Sequence, residues 1–429
     1  MKIKFLYGVL LSLLCCAGVV QADTVCSVLS DNKVQDHSDD TALLQASIDD
    51  CARRGGGRLE LAGRTYQIGP IELRSKVYLV LAPDTVLQAT ADKTRFERAF
   101  IGWPFHAREA LISAYKISDS GILGTGRIDG QGALWWEEAR RQRRDGTMAS
   151  MFPALPDANG MPRPWLVEFY DSRNITIDGP TLQNSPMWTL ALRYASQVRI
   201  GHLTIRNPKE APNTDGIDVV ASQNVSIHNV DIATGDDNIT IKSGLAGFGV
   251  PTQAASDIHV TDAKFGSGHG FSIGSETLNG VNHVTLERVS FEGTTNGIRI
   301  KTGRDRGADI SAIHVKDITM NNVDTALSIT AYYPKFPAQR GEPLAVTATT
   351  PRVHDIRIEG LVAIGSNTAG IFVGLPESPL RDVVLSKVRI QAAKGLMLRD
   401  AEVQADRLDL QIQNGKALDQ QEEGKLNKL

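Results

Sequence analysis

From position 175 onward the chain repeats one arrangement of apolar and polar residues. The pattern apolar-x-apolar-x-x-apolar-x-apolar occurs as ITIDGPTL from Ile175, VRIGHLTI from Val198, VSIHNVDI from Val225 and IHVTDAKF from Ile258. It returns as VTLERVSF from Val284, IHVKDITM from Ile313, IRIEGLVA from Ile356 and VVLSKVRI from Val383. Successive starts lie 23 to 43 residues apart, a period that marks an array of similar units rather than a compact α/β domain. Most units carry a third short strand between octets: WTLAL from Trp188, GIDVV from Gly216, NITIK from Asn238, GFSIG from Gly270, GIRIK from Gly297, ALSIT from Ala326, GIFVG from Gly370 and GLMLR from Gly395. Three strands per unit, joined by short polar or Gly-containing turns, describe one coil of an all-β solenoid, a parallel β-helix. Alternate residues face the interior and stack on their equivalents about 4.8 Å away in the next coil. A β-sandwich is the alternative, but the Asn-Gly and Asp-Gly hairpin signals it needs are largely missing.

The ends of the array read differently. Ser38, Asp39, Asp40 and Thr41 can cap a short helix from about Asp40 to Arg53, with Leu44, Ile48 and Cys51 on one face and Gly55, Gly56 and Gly57 ending it. Such a helix can cover the N-terminal strand edges, which would otherwise invite pairing with other chains. The last residues, from Ala417 to Leu429, are polar and read as a loosely ordered tail. At the other extreme, Lys2 and Lys4 precede an apolar run from Phe5 to Val20, and Val20, Gln21 and Ala22 offer a cleavage site before Asp23. Residues 1–22 are therefore expected to be a secretory signal peptide, and 23–416 a single β-helix domain. No later segment is apolar enough to cross a bilayer.

Composition narrows the partners. With 46 Lys+Arg against 49 Asp+Glu the net charge is −3, and loss of the two leader lysines brings it to −5. That balance excludes a generic phosphate-binding surface, so no nucleic-acid partner is expected. Cleavage also removes Cys15 and Cys16 and leaves Cys26 and Cys51. Two cysteines in an exported chain favour a disulfide closing a short N-terminal loop, with two buried thiols as the alternative.

The chemistry lies where polar residues enter the third strands. Asn213, Thr214, Asp215 and Gly216 lead into GIDVV; Gly235, Asp236 and Asp237 lead into NITIK; Gly268, His269 and Gly270 lead into GFSIG. Arg299 and Lys301 lie within GIRIK, and Tyr333 follows ALSIT. Five successive coils thus set polar groups at nearly one height along one sheet. Singly each has a plain explanation: an Asp before a strand is usually a turn residue, and an Arg and Lys at spacing two can be a solvated stripe. Their coincidence at one register is what points to a site. Clustered carboxylates suit glycosidic cleavage, one protonated to donate to the leaving oxygen and the others ionised to activate water. Mutual repulsion raises the pKa of one member without any metal or cofactor. Gly235 permits the tight turn that brings both following carboxylates to the groove. Arg299 and Lys301 make sense if the sugar itself carries a carboxylate. Lys242 either adds to that field or is a solvated strand-end lysine.

At these residues the sequence resembles the pectin-degrading polygalacturonases, glycoside hydrolase family 28. The matching motifs are NTDG at 213–216, GDD at 235–237, GHG at 268–270 and RIK at 299–301, supported by GRIDGQG from Gly126 with Trp135 and Trp136, and by the stretch from Asp39 to Pro70. The resemblance implies a right-handed parallel β-helix that hydrolyses α-1,4-linked galacturonic acid with inversion. It implies Asp236 as general acid, Asp215 and Asp237 as holders and deprotonators of the attacking water, and His269 as a group tuning the acid. Arg299, Lys301, Asn213 and Tyr333 would bind substrate, Tyr333 matching the family tyrosine better than Tyr332, and Lys242 is placed with them.

The expectation is an exported, metal-independent monomer, secreted or periplasmic, acting on polygalacturonate or pectin in the cell wall and free of the membrane once its leader is removed. A β-helical lyase using Ca²⁺ and a non-catalytic polysaccharide-binding β-helix are the rivals. Endo or exo action depends on segments that could block the groove, at 137–164 and 334–350.

Overall fold

The computed structural model describes residues 24–29, 39–97, 109–146, 163–244 and 252–429. The expected leader at 1–22, with Cys15 and Cys16, and Ser38 lie outside them. Among the described residues 31 strands join in one continuous sheet whose ladder pairings are parallel, wound as a right-handed parallel β-helix.

The octets determine the winding. Their first residues stack in a single register, Ile175 on Val198, Val225, Ile258, Val284, Ile313, Ile356 and Val383. Their last residues form a second buried ladder, running from Leu182 through Ile205, Ile232, Phe265, Phe291, Met320 and Ala363 to Ile390. The octet is two short strands meeting at a corner. Its fifth residue is left-handed, with φ of 50° at His202, 52° at Asn229, 55° at Asp262 and 54° at Arg288. One left-handed residue bends the strand and shifts the alternation by one, so apolar positions run 1, 3, 6, 8 instead of 1, 3, 5, 7. The backbone cost of roughly 1–2 kcal/mol at each non-glycine corner is met by the apolar surface buried on either side.

The third strands stack likewise. Leu190, Ile217, Ile239, Phe271, Ile298 and Leu327 point inward in one ladder, and Leu192, Val219, Ile241, Ile273, Ile300 and Ile329 in the next. The residues between them, Ala191, Asp218, Thr240, Ser272, Arg299 and Ser328, therefore face outward in direct register.

Both ends are closed. The helix Thr41–Arg53 buries Leu44, Ile48 and Cys51 against the first coil, as its apolar spacing predicts. The Asp39 carboxylate accepts a hydrogen bond from the Thr41 N–H at 2.9 Å, and Arg64 forks onto Asp40 at 2.8 and 3.1 Å. Cys26 and Cys51 are joined as a disulfide, Cα atoms 5.4 Å apart, tying the strand Val25–Leu29 to this helix. At the other end the expected loose tail is corrected. Leu418–Gln421 and Lys425–Lys428 are strands that pair in parallel with Leu380–Arg399 and Ala401–Ile412. Leu418 and Leu426 pack on the core while polar residues line the final edge, the usual protection for an end strand. Among the described residues no helix is long and apolar enough to cross a membrane.

Ending the chain after Gly415 should uncover Leu396 and Leu398 and leave an open apolar edge. The expected outcome is a lower melting temperature and concentration-dependent aggregation, measured by differential scanning calorimetry and light scattering.

Candidate active site

The three carboxylates and the imidazole come from turns that continue the backbone ladder into the third strands. The Thr189 N–H donates to the Asp215 carbonyl at 2.9 Å, the Gly216 N–H to Asp237 at 2.8 Å, and the His269 N–H to Asp236 at 2.8 Å. The turns are also cross-linked by side chains: the Gly235 N–H donates to Thr214 Oγ1 at 3.0 Å, and Asn238 Nδ2 to the Ile232 and Ser267 carbonyls at 3.0 Å each. Gly235 has no room for a Cβ, which would lie 2.1 Å from the Ala211 carbonyl oxygen. The glycines around His269 are required in the same way. Both have positive φ, and a Cβ on Gly270 would lie 2.0 Å from the Asn296 carbonyl oxygen. The motif glycines let one coil's turn sit directly on the next.

Asn213, Asp215, Asp236, Asp237, Lys242, Lys301 and Tyr333 line one cleft together with Trp188, Ser275 and Glu276. Asp237 is the hub. Lys301 Nζ donates to its Oδ2 at 2.7 Å, Ser272 Oγ to its Oδ1 at 2.7 Å, and Arg299 lies 3.9 Å from Oδ1. His269 Nδ1 is 3.0 Å from Asp236 Oδ1 and 3.9 Å from Asp237 Oδ1. Asp236, Asp237 and His269 each bring one ligand atom within 4.8 Å of the others, the one His and carboxylate group among the described residues that could share a metal ion. Lys242 is buried, correcting the solvated alternative. Its Nζ donates to Asp218 at 2.8 Å, lies 3.5 Å from Asp215 and sits 3.9 Å above the centre of the Trp188 ring.

These unequal surroundings separate the carboxyls. Burial, then the charges of Asp236 and Asp218, push Asp215 well above the usual range against the pull of Lys242. Burial pushes Asp236 up too, but the His269 hydrogen bond and charge, with Lys301 and Lys242, outweigh it and hold Asp236 well below the usual range. Asp237 is likewise lowered, burial being outweighed by Lys301, Arg299 and His269. Burial lowers His269 while Asp236 and Asp237 raise it, and the raise wins. Burial drives Asp218 up to about 7 despite Lys242. Asp236 and His269 are the accessible pair, with 22% and 35% of their side chains exposed, whereas Asp215 keeps only 5%.

The structure separates the two tyrosines: Tyr333 lines the cleft, and Tyr332 lies beneath the Arg304 guanidinium. It also adds residues that sequence reasoning missed. Asp218 shares the outward register of Arg299 and could have been found by extending that comparison one step. Trp188 was read only as the start of a strand, yet it stacks on Trp165 at 5.1 Å and carries Lys242. Arg163 follows no motif. It is buried and donates to the Pro186 and Pro212 carbonyls at 2.6 and 2.5 Å and to Asn213 Oδ1 at 3.3 Å. Burial pushes its pKa down to about 9 against the pull of Asp215 and Asp236, so it remains a cation at neutral pH. Of the two groove-blocking candidates, the described part of 137–164 includes most of the helix Ala133–Arg144, and residues 147–162 lie outside the description. The other, 334–350, is strapped over the strand Leu380–Arg399: Arg399 donates to the Pro337 and Ala338 carbonyls at 2.8 and 3.0 Å, and Arg340 forks onto Asp400.

A parallel β-helix with clustered carboxylates, an imidazole and two cations in one open cleft defines a glycosidase. The family model for glycosyl hydrolases family 28 matches residues 93–404. An endo-polygalacturonase of Pectobacterium parmentieri is 32% identical over 317 residues, covering 70% of this chain and 74% of that one. A polygalacturonase structure from Erwinia carotovora ssp. carotovora superposes with a TM-score of 0.70 at 26% identity, covering 95% and 96% of the two chains. An exopolygalacturonase structure from Thermotoga maritima gives 0.75 at 24% identity, covering 87% and 88%. The chain belongs to glycoside hydrolase family 28.

Lys242→Met would leave Asp218 buried without its cation. Losing one partner of a buried pair costs about 3–5 kcal/mol, so thermal and urea unfolding should both move to lower values. Adding Asp218→Asn should recover part of the loss, and a double-mutant cycle with no coupling would show the pair to be inert.

Proposed function

We propose that the protein hydrolyses the α-1,4-glycosidic bonds between galacturonic acid residues of polygalacturonate or pectin. The observation that carries this reading is that Asp215, Asp236, Asp237 and Lys301 line one cleft, with His269 3.0 Å from Asp236 and Arg299 3.9 Å from Asp237. Asp236 is the general acid. Its oxygen shares a proton with His269 across 3.0 Å, and of the three carboxyls in the cleft it has the largest exposed fraction, so it best reaches a leaving oxygen in an open groove. Asp237, held ionised by Lys301, takes the proton of the attacking water while Asp215 helps to fix that water. The resting charges favour a proton on Asp215 and an ionised Asp236. The acid's proton is therefore supplied through the His269–Asp236 pair rather than held by Asp236 alone.

Asn213, Tyr333 and Arg299 bind the sugar, Arg299 supplying a planar fork for the uronate carboxylate. Lys301 and Lys242 act on substrate chiefly through the carboxylates they touch. Attack by one water gives net inversion. The nearest oxygens of Asp236 and Asp237 fall within 4.8 Å, closer than the ~6.5–9.5 Å usual for inverting pairs, so inversion rests on family membership and the anomer of the first product, read by NMR, tests it. The protein works as a monomer with a polysaccharide as its partner. The apolar leader and the Cys26–Cys51 disulfide support export to the periplasm or medium.

Digestion of polygalacturonate in EDTA tests the reaction. New reducing ends without ultraviolet absorbance, lost in Asp236→Asn, are expected, and early product lengths separate endo from exo cutting. Calcium-dependent absorbance would instead identify a lyase.

The pH profile follows from the signs above. Asp237, lowered, stays ionised until pH falls through its depressed value, which sets the acid limb. His269, raised by Asp236 and Asp237, keeps its proton until pH rises through the raised value, which sets the alkaline limb. His269→Ala should move the alkaline limb to lower pH and reduce kcat at neutral pH by about 100-fold. An unmoved limb would remove His269 from the proton pair.

A further inference from the structure

Glu276 lines the same cleft, and neither the motifs nor the mechanism uses it. It follows the strand Phe271–Ile273 and is only 3% exposed. The Ser243 N–H donates to its backbone carbonyl at 2.7 Å, which fixes its main chain. Its carboxylate feels the charges of Lys242 and Arg306, yet Oε2 is buried with no hydrogen-bond partner among the described residues. An unpaired buried carboxylate oxygen is costly, of the order of 1–3 kcal/mol or more. Among the described residues that line the cleft it has the one such oxygen; Asp218 Oδ2, likewise without a partner, belongs to a residue outside the lining. The cleft thus holds one acceptor in want of a donor.

On the proposed reading of the substrate, the donor can be identified by elimination. A galacturonate unit offers a carboxylate, ring and glycosidic oxygens, and free hydroxyls, and only the hydroxyls donate. The carboxylate is repelled by Glu276 and drawn to Arg299. We propose that Glu276 is a specificity-determining residue whose carboxylate turns toward the groove and accepts a hydrogen bond from a free ring hydroxyl of the bound galacturonate. The sugar is thereby oriented from two sides, carboxylate edge to Arg299 and hydroxyl edge to Glu276. A unit whose hydroxyls are esterified has no proton to give and leaves the oxygen unpaired, so the site rejects it. Rejection by an unsatisfied buried polar group is far stronger than rejection by shape.

The test measures trigalacturonate binding by calorimetry in Asp236→Asn protein, with and without Glu276→Ala, and compares kcat/KM of the wild type and of the Glu276→Ala single variant on polygalacturonate before and after chemical acetylation. Glu276→Ala is expected to weaken binding about 10–100-fold in the Asp236→Asn background and, in the otherwise wild-type enzyme, to raise KM more than it lowers kcat and to narrow the preference for the unacetylated polymer. Glu276→Gln, which keeps the shape and an acceptor, should restore part of the affinity. Affinity within twofold of the parent, or activity lost equally on both polymers, would overturn the assignment. If Glu276→Ala does not fold, Glu276→Met, which keeps the length but removes the acceptor, decides alone: an unchanged polymer preference overturns the proposal. Failure of the parent protein to bind trigalacturonate, or of the wild type to release reducing ends, would sink the polygalacturonate reading itself.

Discussion

The parallel register of the third strands is the constraint on which everything else rests, because it is enforced from both faces of the sheet. Inward, Leu192, Val219, Ile241, Ile273, Ile300 and Ile329 are buried in one ladder. Outward, Asp218, Ser272 and Arg299 stand one above another with Thr240 between. A slip of one residue would bring these charges into the core and expose the apolar ladder. Burying even one unpaired charge costs several kcal/mol, so the site and the core specify the same winding. Residues from Trp188 to Tyr333 can then form one cleft without any loop having to find its partner.

Stacking at one coil spacing also concentrates like charges, and the fold tolerates this by inserting cations into the same ladder. Lys301 sits on Asp237, Lys242 between Asp215 and Asp218, and His269 on Asp236. At 4 Å a single charge pair is worth about 4 kcal/mol in surroundings of intermediate dielectric. Small differences in which cation is nearest therefore separate carboxyls that are chemically identical. Asp215, buried and least well matched, is raised, while Asp236 and Asp237 are lowered. Three chemically alike carboxyls are thus set apart by position alone.

Much of this was legible in the sequence. The octets starting at Ile175, Val198 and Val225 stack residue for residue as the apolar pattern requires, because burial leaves a strand no other phase. The turn motifs were legible because a glycine flanked by charged residues has little reason to recur at one register without a close backbone approach. Asp218, Trp188 and Glu276 were harder. Each sits where a structural residue would also do, and their significance comes from side-chain directions and from an unmet hydrogen bond, which no spacing records. The C-terminal strands were misread because residues 417–429 are polar, although an end strand needs only one apolar side: Leu418 and Leu426 supply it.

An acidic protein that acts on an acidic polymer works by local field rather than net charge. The chain carries −3 overall, yet Arg163, Lys242, Arg299 and Lys301 converge around the carboxylates. Lys301 is committed to Asp237 at 2.7 Å, whereas Arg299 stands off at 3.9 Å with its fork part exposed. A uronate carboxylate received by Arg299 adds negative charge beside Asp237 and draws on the cation that had been lowering it. Both effects raise the affinity of Asp237 for a proton. On the proposed assignment of Asp237 as the base, the substrate's own charge therefore strengthens the group that activates water, and a neutral sugar in the same position would leave it weak.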